Sequence, residues 1–263
     1  MQKLKNKVAV VYGDGNIGTA IAKAFTREGA KVFMAGRTVS KLAKISEEIR
    51  HNDGDIETAE IDALDESAVV RHLNEVIKKA GRVDISFNAI GLPQTGIQGI
   101  PLTELSVDHF LLPITTYAQS HFITSKAAAR QMVKQGAGAI LMHTPNASRL
   151  SPPYVGGMIP AWSAVEALCR SLSVEYGDKG IRSVCLLTTG IPETSLIDEV
   201  WNIHGKAHGI SFQQFHQAME GATHRKKLTT LAELTNAAVF AASDEGSALS
   251  GTIFNLTAGM IVY

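Results

Sequence analysis

The sequence predicts an α/β domain built on a doubly wound, mostly parallel sheet of seven strands. Two observations support this prediction. Four short apolar runs alternate with three amphipathic segments in the first ninety residues, and the first apolar run ends in a glycine turn that leads directly into a helix. Such alternation is typical of a parallel sheet with helices on both faces. Three further strands are predicted after residue 135.

The first strand, Val8–Val11, leads into a turn with three closely spaced glycines. Glycine accepts positive φ and lets the backbone approach a ligand, while the first turn of a helix offers unpaired N–H groups and a partial positive charge. A strand, a glycine turn and a helix in this order indicate phosphate binding, although such a turn can also join the two elements without a ligand. The predicted phosphate-binding residues are Gly13, Gly15, Asn16, Ile17 and Gly18.

The second strand, residues 30–36, ends in Gly36 and Arg37. In a dinucleotide-binding unit this strand end faces the adenosine ribose, where an acid accepts from the 2′-OH of NAD and an arginine pairs with the 2′-phosphate of NADP. The sequence therefore favours NADP(H) over NAD(H). Two observations oppose this preference: Arg37 can also be a solvated residue at a helix start, and Asp14 brings a negative charge into the glycine turn.

The remaining elements continue the alternation as far as residue 193. The third strand ends in Asp62 and Ala63, and the fourth ends in a segment from Asn88 to Gly91. Pro113 is expected to disturb the long helix that contains it. The predicted helices are 39–51, 65–80, 107–135, 160–176 and 231–242, and the predicted strands after the second are 57–61, 83–87, 138–143, 181–188 and 252–256.

Composition limits the classes of function. The chain has 263 residues and shows no linker, so one domain spanning residues 1–263 is expected. Its formal net charge is zero, which gives no electrostatic basis for binding nucleic acid or an anionic membrane, and no apolar run reaches the 18 residues of a membrane span. Cys169 and Cys185 lack metal-ligand spacing. A reduced, cytoplasmic protein without a structural metal is the expectation.

The residues at the strand ends resemble the short-chain dehydrogenase/reductase (SDR) family along nearly the whole chain. The resemblance includes the glycine turn, the run from Ala35 to Arg37, and the helix pattern from Val165 to Glu175. It implies a Rossmann-type fold, a small-molecule substrate, and a homodimer or homotetramer that pairs helices 107–135 and 160–176. The nucleotide-binding residues that it implies beyond the glycine turn are Arg37, Asp62, Ala63, Asn88, Gly91 and Thr194.

The positions that carry the family's chemistry are occupied by other residue types. The family's Tyr-x-x-x-Lys motif falls on Met158 and Trp162, and no lysine lies between Lys134 and Lys179. A thioether and an indole cannot exchange a proton at neutral pH. The family's serine position is occupied by Pro145, and its asparagine position by Tyr117. Pro192 stands at the position whose backbone N–H holds the nicotinamide carboxamide in the family.

Three other side chains are candidates for proton transfer: Tyr154, Tyr117 and His143. Tyrosines at such positions also serve as packing residues, and a lone histidine at a strand end can be structural. Segment 193–230 interrupts the alternation and is predicted to form an aromatic lid over an apolar cleft. His204 and His208 are one helical turn apart but lack the glutamate of an H-E-x-x-H metal motif.

The resemblance therefore favours an NADP(H)-dependent oxidoreductase of a small, apolar carbonyl or alcohol compound with an atypical active site. Two alternatives remain open at this point. One is a non-redox enzyme on the same scaffold, with the nucleotide as a structural part. The other is a catalytically silent homologue that acts as a binding or partner protein.

Overall fold

Seven parallel strands form the centre of the molecule, and the computed structural model describes residues 2–262. Short, buried apolar runs form most of these strands because helices cover both faces of the sheet. The strands are β1 (Val8–Tyr12), β2 (Lys31–Gly36), β3 (Ile56–Glu60), β4 (Ile85–Asn88), β5 (Gly138–Pro145), β6 (Ile181–Thr188) and β7 (Thr252–Leu256). The predicted seven-stranded α/β fold is confirmed, with every strand pair parallel.

The spatial order of the strands is β3-β2-β1-β4-β5-β6-β7. The chain therefore runs outward from β1 in one direction and then reverses at β4. Ligands of open α/β sheets bind outside the carboxyl ends of the strands at such a reversal. The glycine turn follows β1 and segment 88–91 follows β4, so both lie beside this crevice.

Nine α-helices connect and flank the strands of residues 2–262. Helices α3, α4 and α6 pack on one face of the sheet, and α1, α2 and α9 pack on the other. None of the helices in this range is long and apolar enough to cross a membrane. The helices are α1 (Asn16–Arg27), α2 (Val39–His51), α3 (Glu66–Ala80), α4 (Val107–Gln135), α5 (Ala147–Leu150), α6 (Met158–Tyr176), α7 (Ser195–Ala207), α8 (Phe212–Gly221) and α9 (Leu231–Ala242).

Pro113 does not break α4, contrary to the sequence prediction. The helix runs without interruption from residue 107 to 135. Packing against α6 supports the affected turn: Pro113 is buried, and a Cβ atom at Gly157 would overlap the carbonyl oxygen of Phe110. The glycine thus lets the start of α6 lie directly against the proline turn.

Several element boundaries also differ from the prediction, and those of α6 and β5 differ by two residues next to the family's catalytic positions. Helix α6 begins at Met158 rather than residue 160, because the carbonyl of Gly157 already accepts the N–H of Ala161. Pro160 still lies in the first turn, where its missing N–H costs nothing. Strand β5 extends to Pro145, which pairs in register with Thr188 of β6.

Candidate functional site

The glycine turn forms a tight cradle before α1. Gly13 has φ +109°, and a Cβ atom there would lie 2.6 Å from the carbonyl oxygen of Ala89. A Cβ atom at Gly18 would overlap the carbonyl oxygen of Gly13. Only glycine fits either position, and Gly15 faces open space at the N-cap. The first turn of α1 therefore begins with unpaired N–H groups beside open space at Gly15, an arrangement suited to binding an anion.

Asn16 connects this turn to segment 193–230, the predicted lid. Its side-chain oxygen accepts hydrogen bonds from the backbone N–H and the hydroxyl of Ser195, at 3.2 and 2.9 Å. Thr194, which precedes Ser195, is buried and donates its hydroxyl to the carbonyl of Ile191 at 2.9 Å. The glycine turn and the start of α7 are thus in direct contact. Ile17, the next residue of the turn, is partly buried against the core.

The strand ends around the crevice carry the other residues that the resemblance implies. Asn88 is buried; its amide donates to the Thr124 hydroxyl at 3.0 Å, and its side-chain oxygen accepts from the backbone of Ile90. These bonds fix the chain beyond β4, while Gly91 is exposed. After β3, Asp62 is exposed and Ala63 is buried in the core.

At the end of β2, the structure places an acid beside Arg37. The Oδ2 atom of Asp14 accepts the backbone N–H of Thr38 at 3.0 Å. The carboxylate lies against Gly36, where a Cβ atom would be 2.9 Å from it, while Arg37 is exposed. The sequence indicated Asp14 only as a charge within the turn. Its contact with a strand end more than twenty residues away depends on the tertiary fold.

Apolar packing occupies the positions where the family carries its tyrosine and lysine. Met158 and Trp162 are 1% and 8% exposed and belong to the core cluster of α4 and α6. Tyr117 joins the same cluster, and burial raises the pKa of its hydroxyl to about 12, although the Trp162 indole N–H acts in the opposite direction. Pro145, at the serine position, offers no hydroxyl. These four residues do not provide an acid–base pair at neutral pH.

Tyr154 lies on the lid side of the molecule. Its ring packs edge-on against His208, with centroids 5.3 Å apart, and its carbonyl accepts the N–H of Gly99 at 2.7 Å. The residue also has a left-handed backbone with φ +64°. Its described contacts are therefore those of a residue that joins the loop before α6 to the lid.

His143 is a polar side chain near the carboxyl ends of two central strands. It is half-buried on β5, and its Nε2 lies 2.8 Å from the Thr188 hydroxyl of β6. Because the Thr188 hydroxyl donates to the carbonyl of Thr189 at 2.8 Å, it must accept from His143, which places the imidazole proton on Nε2. The Nδ1 lone pair is then free. Burial, with a smaller effect from nearby His121, lowers the pKa of His143 to about 4, so the ring is neutral at pH 7.

The lid helices are held against the loop that follows β4. One carboxylate oxygen of Glu199 accepts from the backbone N–H groups of Gln94 and Thr95 and from the Thr95 hydroxyl, at 3.1, 2.8 and 2.6 Å. Nε2 of His204 lies 2.8 Å from the side-chain oxygen of Gln98. Trp201 stacks on His216 with centroids 4.5 Å apart. The aromatic residues of segment 193–230 are visible in the sequence, but these contacts are not.

The lid histidines do not form a metal centre. Within residues 2–262, no group of three histidine, cysteine, aspartate or glutamate side chains is arranged to hold a metal ion. His204 and His208 instead stack with Phe215, with ring centroids 5.6 to 6.3 Å apart. Burial, followed by the nearby His208, lowers the pKa of His204 to about 4. Both histidines therefore act as flat packing groups, and His204 is neutral at pH 7.

Comparisons with known proteins agree with this geometry. A family model described as enoyl-(acyl carrier protein) reductase matches residues 11–261. The uncharacterised oxidoreductase YxbG of Bacillus subtilis is 29% identical over 264 residues, covering 100% of this chain and 94% of that protein. The 7α-hydroxysteroid dehydrogenase of Clostridium sardiniense is 24% identical over 269 residues, covering 98% and 95%.

A solved structure with a similar fold is carveol dehydrogenase from Mycobacterium avium, in complex with NAD. It superposes with a TM-score of 0.90 at 22% identity and covers 99% of both chains. The strand order, the glycine cradle and the match of the family model to residues 11–261 all indicate the same family. The chain belongs to the short-chain dehydrogenase/reductase family.

Proposed function

We propose that the protein is a nicotinamide-dinucleotide-dependent oxidoreductase that acts on a small, apolar carbonyl or alcohol compound through an atypical active site. The observation that supports this proposal most directly is the neutral, half-buried His143, held by Thr188 at the carboxyl ends of β5 and β6. Family membership supports oxidoreductase chemistry, and His143 supplies a proton-transfer group that the family positions lack.

The adenosine and phosphate half of a dinucleotide fits the residues present. The cradle at Gly13 and Gly18 is one that a Cβ atom would fill, and the first turn of α1 offers N–H groups to a diphosphate. Asp62, Ala63, Asn88, Gly91 and Thr194 lie at or beyond the carboxyl ends of other strands and are proposed to complete the site. The sequence draws a preference for NADP(H) from Arg37, and the position of Asp14 at the same strand end argues in the opposite direction.

A bound nicotinamide supplies or accepts hydride, and the chain must handle the matching proton. In alcohol oxidation, the free Nδ1 lone pair of His143 accepts the hydroxyl proton. The reverse reaction, carbonyl reduction, requires the imidazolium form, which the low pKa of His143 makes scarce at pH 7. Thr188 keeps the imidazole in the tautomer that alcohol oxidation needs. Pro192 has no N–H to offer the carboxamide, so the nicotinamide end is held differently from the family pattern.

An apolar substrate is proposed because the elements around the proposed cleft are apolar. Buried Met158 and Tyr117 belong to α6 and α4, and buried Trp201 belongs to the proposed lid at 193–230. The related hydroxysteroid dehydrogenase is named for an apolar alcohol, which supports the same substrate class. The two free cysteines are buried and support a reducing, cytoplasmic location.

A self-associated protein is also proposed, as a homodimer or homotetramer. Helix α4 exposes Val107, Leu111, Leu112 and Phe122, the last with 52% of its surface accessible. Several exposed apolar side chains on one helix are a feature of protein interfaces. Pairing of α4 and α6 with a second copy would cover this face.

The burial of Met158 and Trp162 supports one alternative, a catalytically silent homologue that binds nucleotide without turnover.

A turnover assay tests the proposed function. The protein is incubated with NADH or NADPH and a panel of apolar ketones, and with the oxidised nucleotides and secondary alcohols. We expect the absorbance of the reduced nucleotide to change with at least one pair. Tight nucleotide binding with no turnover on any pair would favour the silent homologue, and product without net nucleotide consumption would favour a non-redox enzyme.

A further inference from the structure

A carboxylate lies at the end of β2 even though that strand ends in glycine and arginine. It belongs to Asp14 of the glycine turn, whose Oδ2 accepts the Thr38 N–H at 3.0 Å. A Cβ atom at residue 36 would be 2.9 Å from both the Asp14 Cβ and the Oδ2 atom. Gly36 thus leaves the space that the acid occupies, so the two residues form one local arrangement.

One oxygen of this carboxylate is available to a ligand. The bond to Thr38 uses Oδ2, and Oδ1 accepts no hydrogen bond from residues 2–262. Asp14 is half-buried and directly follows Gly13 of the phosphate cradle. The backbone bond fixes its direction, because Thr38 is the N-cap of α2 and the N–H it donates is part of a rigid helix start. An acid so placed is preorganised to accept from a hydroxyl group.

We infer that Asp14, supplied by the glycine turn rather than by the strand end, binds a ribose hydroxyl of the adenosine half and makes this protein prefer NAD(H) to NADP(H). The inference rests on the proposed nucleotide-dependent function and concerns the same site. A 2′-phosphate at this position would bring two negative charges beside a fixed carboxylate, and like charges at close range repel. Arg37 offsets this repulsion only weakly, because it is exposed and solvent screens its charge.

Titration calorimetry on the full chain tests the inference without requiring turnover. NADH and NADPH are each titrated into the wild type, Asp14→Asn and Arg37→Ala. We expect the wild type to bind NADH at least about tenfold more tightly than NADPH, the ratio that one charge-assisted hydrogen bond supplies. Asp14→Asn keeps an oxygen for Thr38 but removes the charge. It should weaken NADH binding, strengthen NADPH binding and bring the ratio close to one.

Arg37→Ala is the matched control at the same end of the site, and it should weaken NADPH binding while leaving NADH binding nearly unchanged. AMP and adenosine 2′,5′-bisphosphate provide a second measurement that does not involve the nicotinamide end. In the wild type and in each variant, the ratio of the AMP affinity to the bisphosphate affinity should change in the same direction as the ratio of the NADH affinity to the NADPH affinity. Thermal melting of each variant checks that the fold is retained.

The outcomes separate the two proposals. If folded wild-type protein binds neither dinucleotide, the proposed function fails and this inference fails with it. If the wild type binds NADPH more tightly, or if Asp14→Asn leaves the ratio of the two affinities unchanged, the inference about Asp14 is overturned while the nucleotide-dependent function stands. A preference for NADH that Asp14→Asn abolishes supports the inference.

Discussion

His121 is joined to Tyr117, the residue one helical turn before it in α4. Its Nδ1 lies 2.9 Å from the Tyr117 carbonyl oxygen, and the two rings stack with centroids 6.0 Å apart. The bond places the imidazole proton on Nδ1 and leaves Nε2 buried without a partner among the described residues. Burial lowers the pKa of this histidine to about 4, with the carbonyl bond acting in the opposite direction. The ring is therefore a neutral group at pH 7.

This low pKa predicts a dependence of stability on pH. An unfolded histidine has a pKa near 6.5, so between about pH 4 and 6.5 the unfolded state binds more protons than the folded state. The contribution to stability is complete above pH 6.5 and is lost as the pH falls. His121→Phe should reduce the slope of unfolding free energy against pH in this window by up to about 1.4 kcal/mol per pH unit. Urea unfolding at several pH values measures it, and an unchanged slope would contradict the prediction.

Replacing His143 by glutamine should remove the proposed proton transfer. We expect turnover to fall by about 10²–10⁴-fold while nucleotide affinity stays the same. Tyr154→Phe is the matched control and should change turnover little, because Tyr154 contacts the lid. Since the His143 pKa is about 4, alcohol oxidation in the wild type should lose the basic form only as the pH falls toward that value. Equal turnover in His143→Gln and the wild type would exclude the role.

Replacing Glu199 by glutamine should loosen the lid. The carboxylate accepts three hydrogen bonds from Gln94 and Thr95, and the neutral amide oxygen is a weaker acceptor. Hydrogen exchange of the amides in residues 92–105 should become faster in Glu199→Gln. Asp198→Asn, which changes an exposed acid on the same helix, is the control and should leave exchange unchanged. Identical protection in both variants would show that the Glu199 contacts do not hold the loop.

Trp162 is expected to stabilise the fold rather than take part in proton transfer. Its side chain is 8% exposed and packs in the core shared by α4 and α6. Trp162→Ala should lower the free energy of unfolding by about 3–5 kcal/mol, as truncation of a buried aromatic residue does. Val174→Ala on the same helix, 86% exposed in the wild type, should change it by less than about 0.5 kcal/mol. Urea unfolding compares the two, and similar losses would place Trp162 outside the core.

Light scattering at micromolar concentration tests self-association. We expect the mass of a dimer or tetramer, and Phe122→Asp should shift it toward a monomer because the charge would be buried in the proposed interface. Leu102→Asp changes another exposed apolar residue, on the loop before α4, and should leave the mass unchanged. A monomeric wild type would exclude the proposed pairing.

The sequence predicts the regular elements well where apolar periodicity is strong. The bounds of α2, α4, β6 and β7 agree with the predictions because burial on one face or on both faces determines them. Helix α5 was missed because it is a single turn between prolines, and the disturbance expected at Pro113 was wrong because packing against α6 outweighs the missing hydrogen bond.

The candidate site was less accessible to sequence reasoning. The glycine turn is visible because its residues are neighbours in the chain. The bond between His143 and Thr188 joins separate strands, and the position of Asp14 against Gly36 joins separate turns. Both contacts depend on which strands are neighbours and on how they are aligned, and the sequence pattern predicts neither. The free lone pair of His143 follows only from tracing which hydroxyl donates to which carbonyl.

The chain has two tryptophans, and both are buried beside the proposed cleft, Trp162 in α6 and Trp201 in α7. All indole fluorescence of the protein therefore originates from the body of the domain and from the lid next to that cleft. Reduced nicotinamide absorbs light in the range where buried indoles emit, so a bound nucleotide would quench this emission by energy transfer. The molecule thus carries its own optical reporter of nucleotide binding.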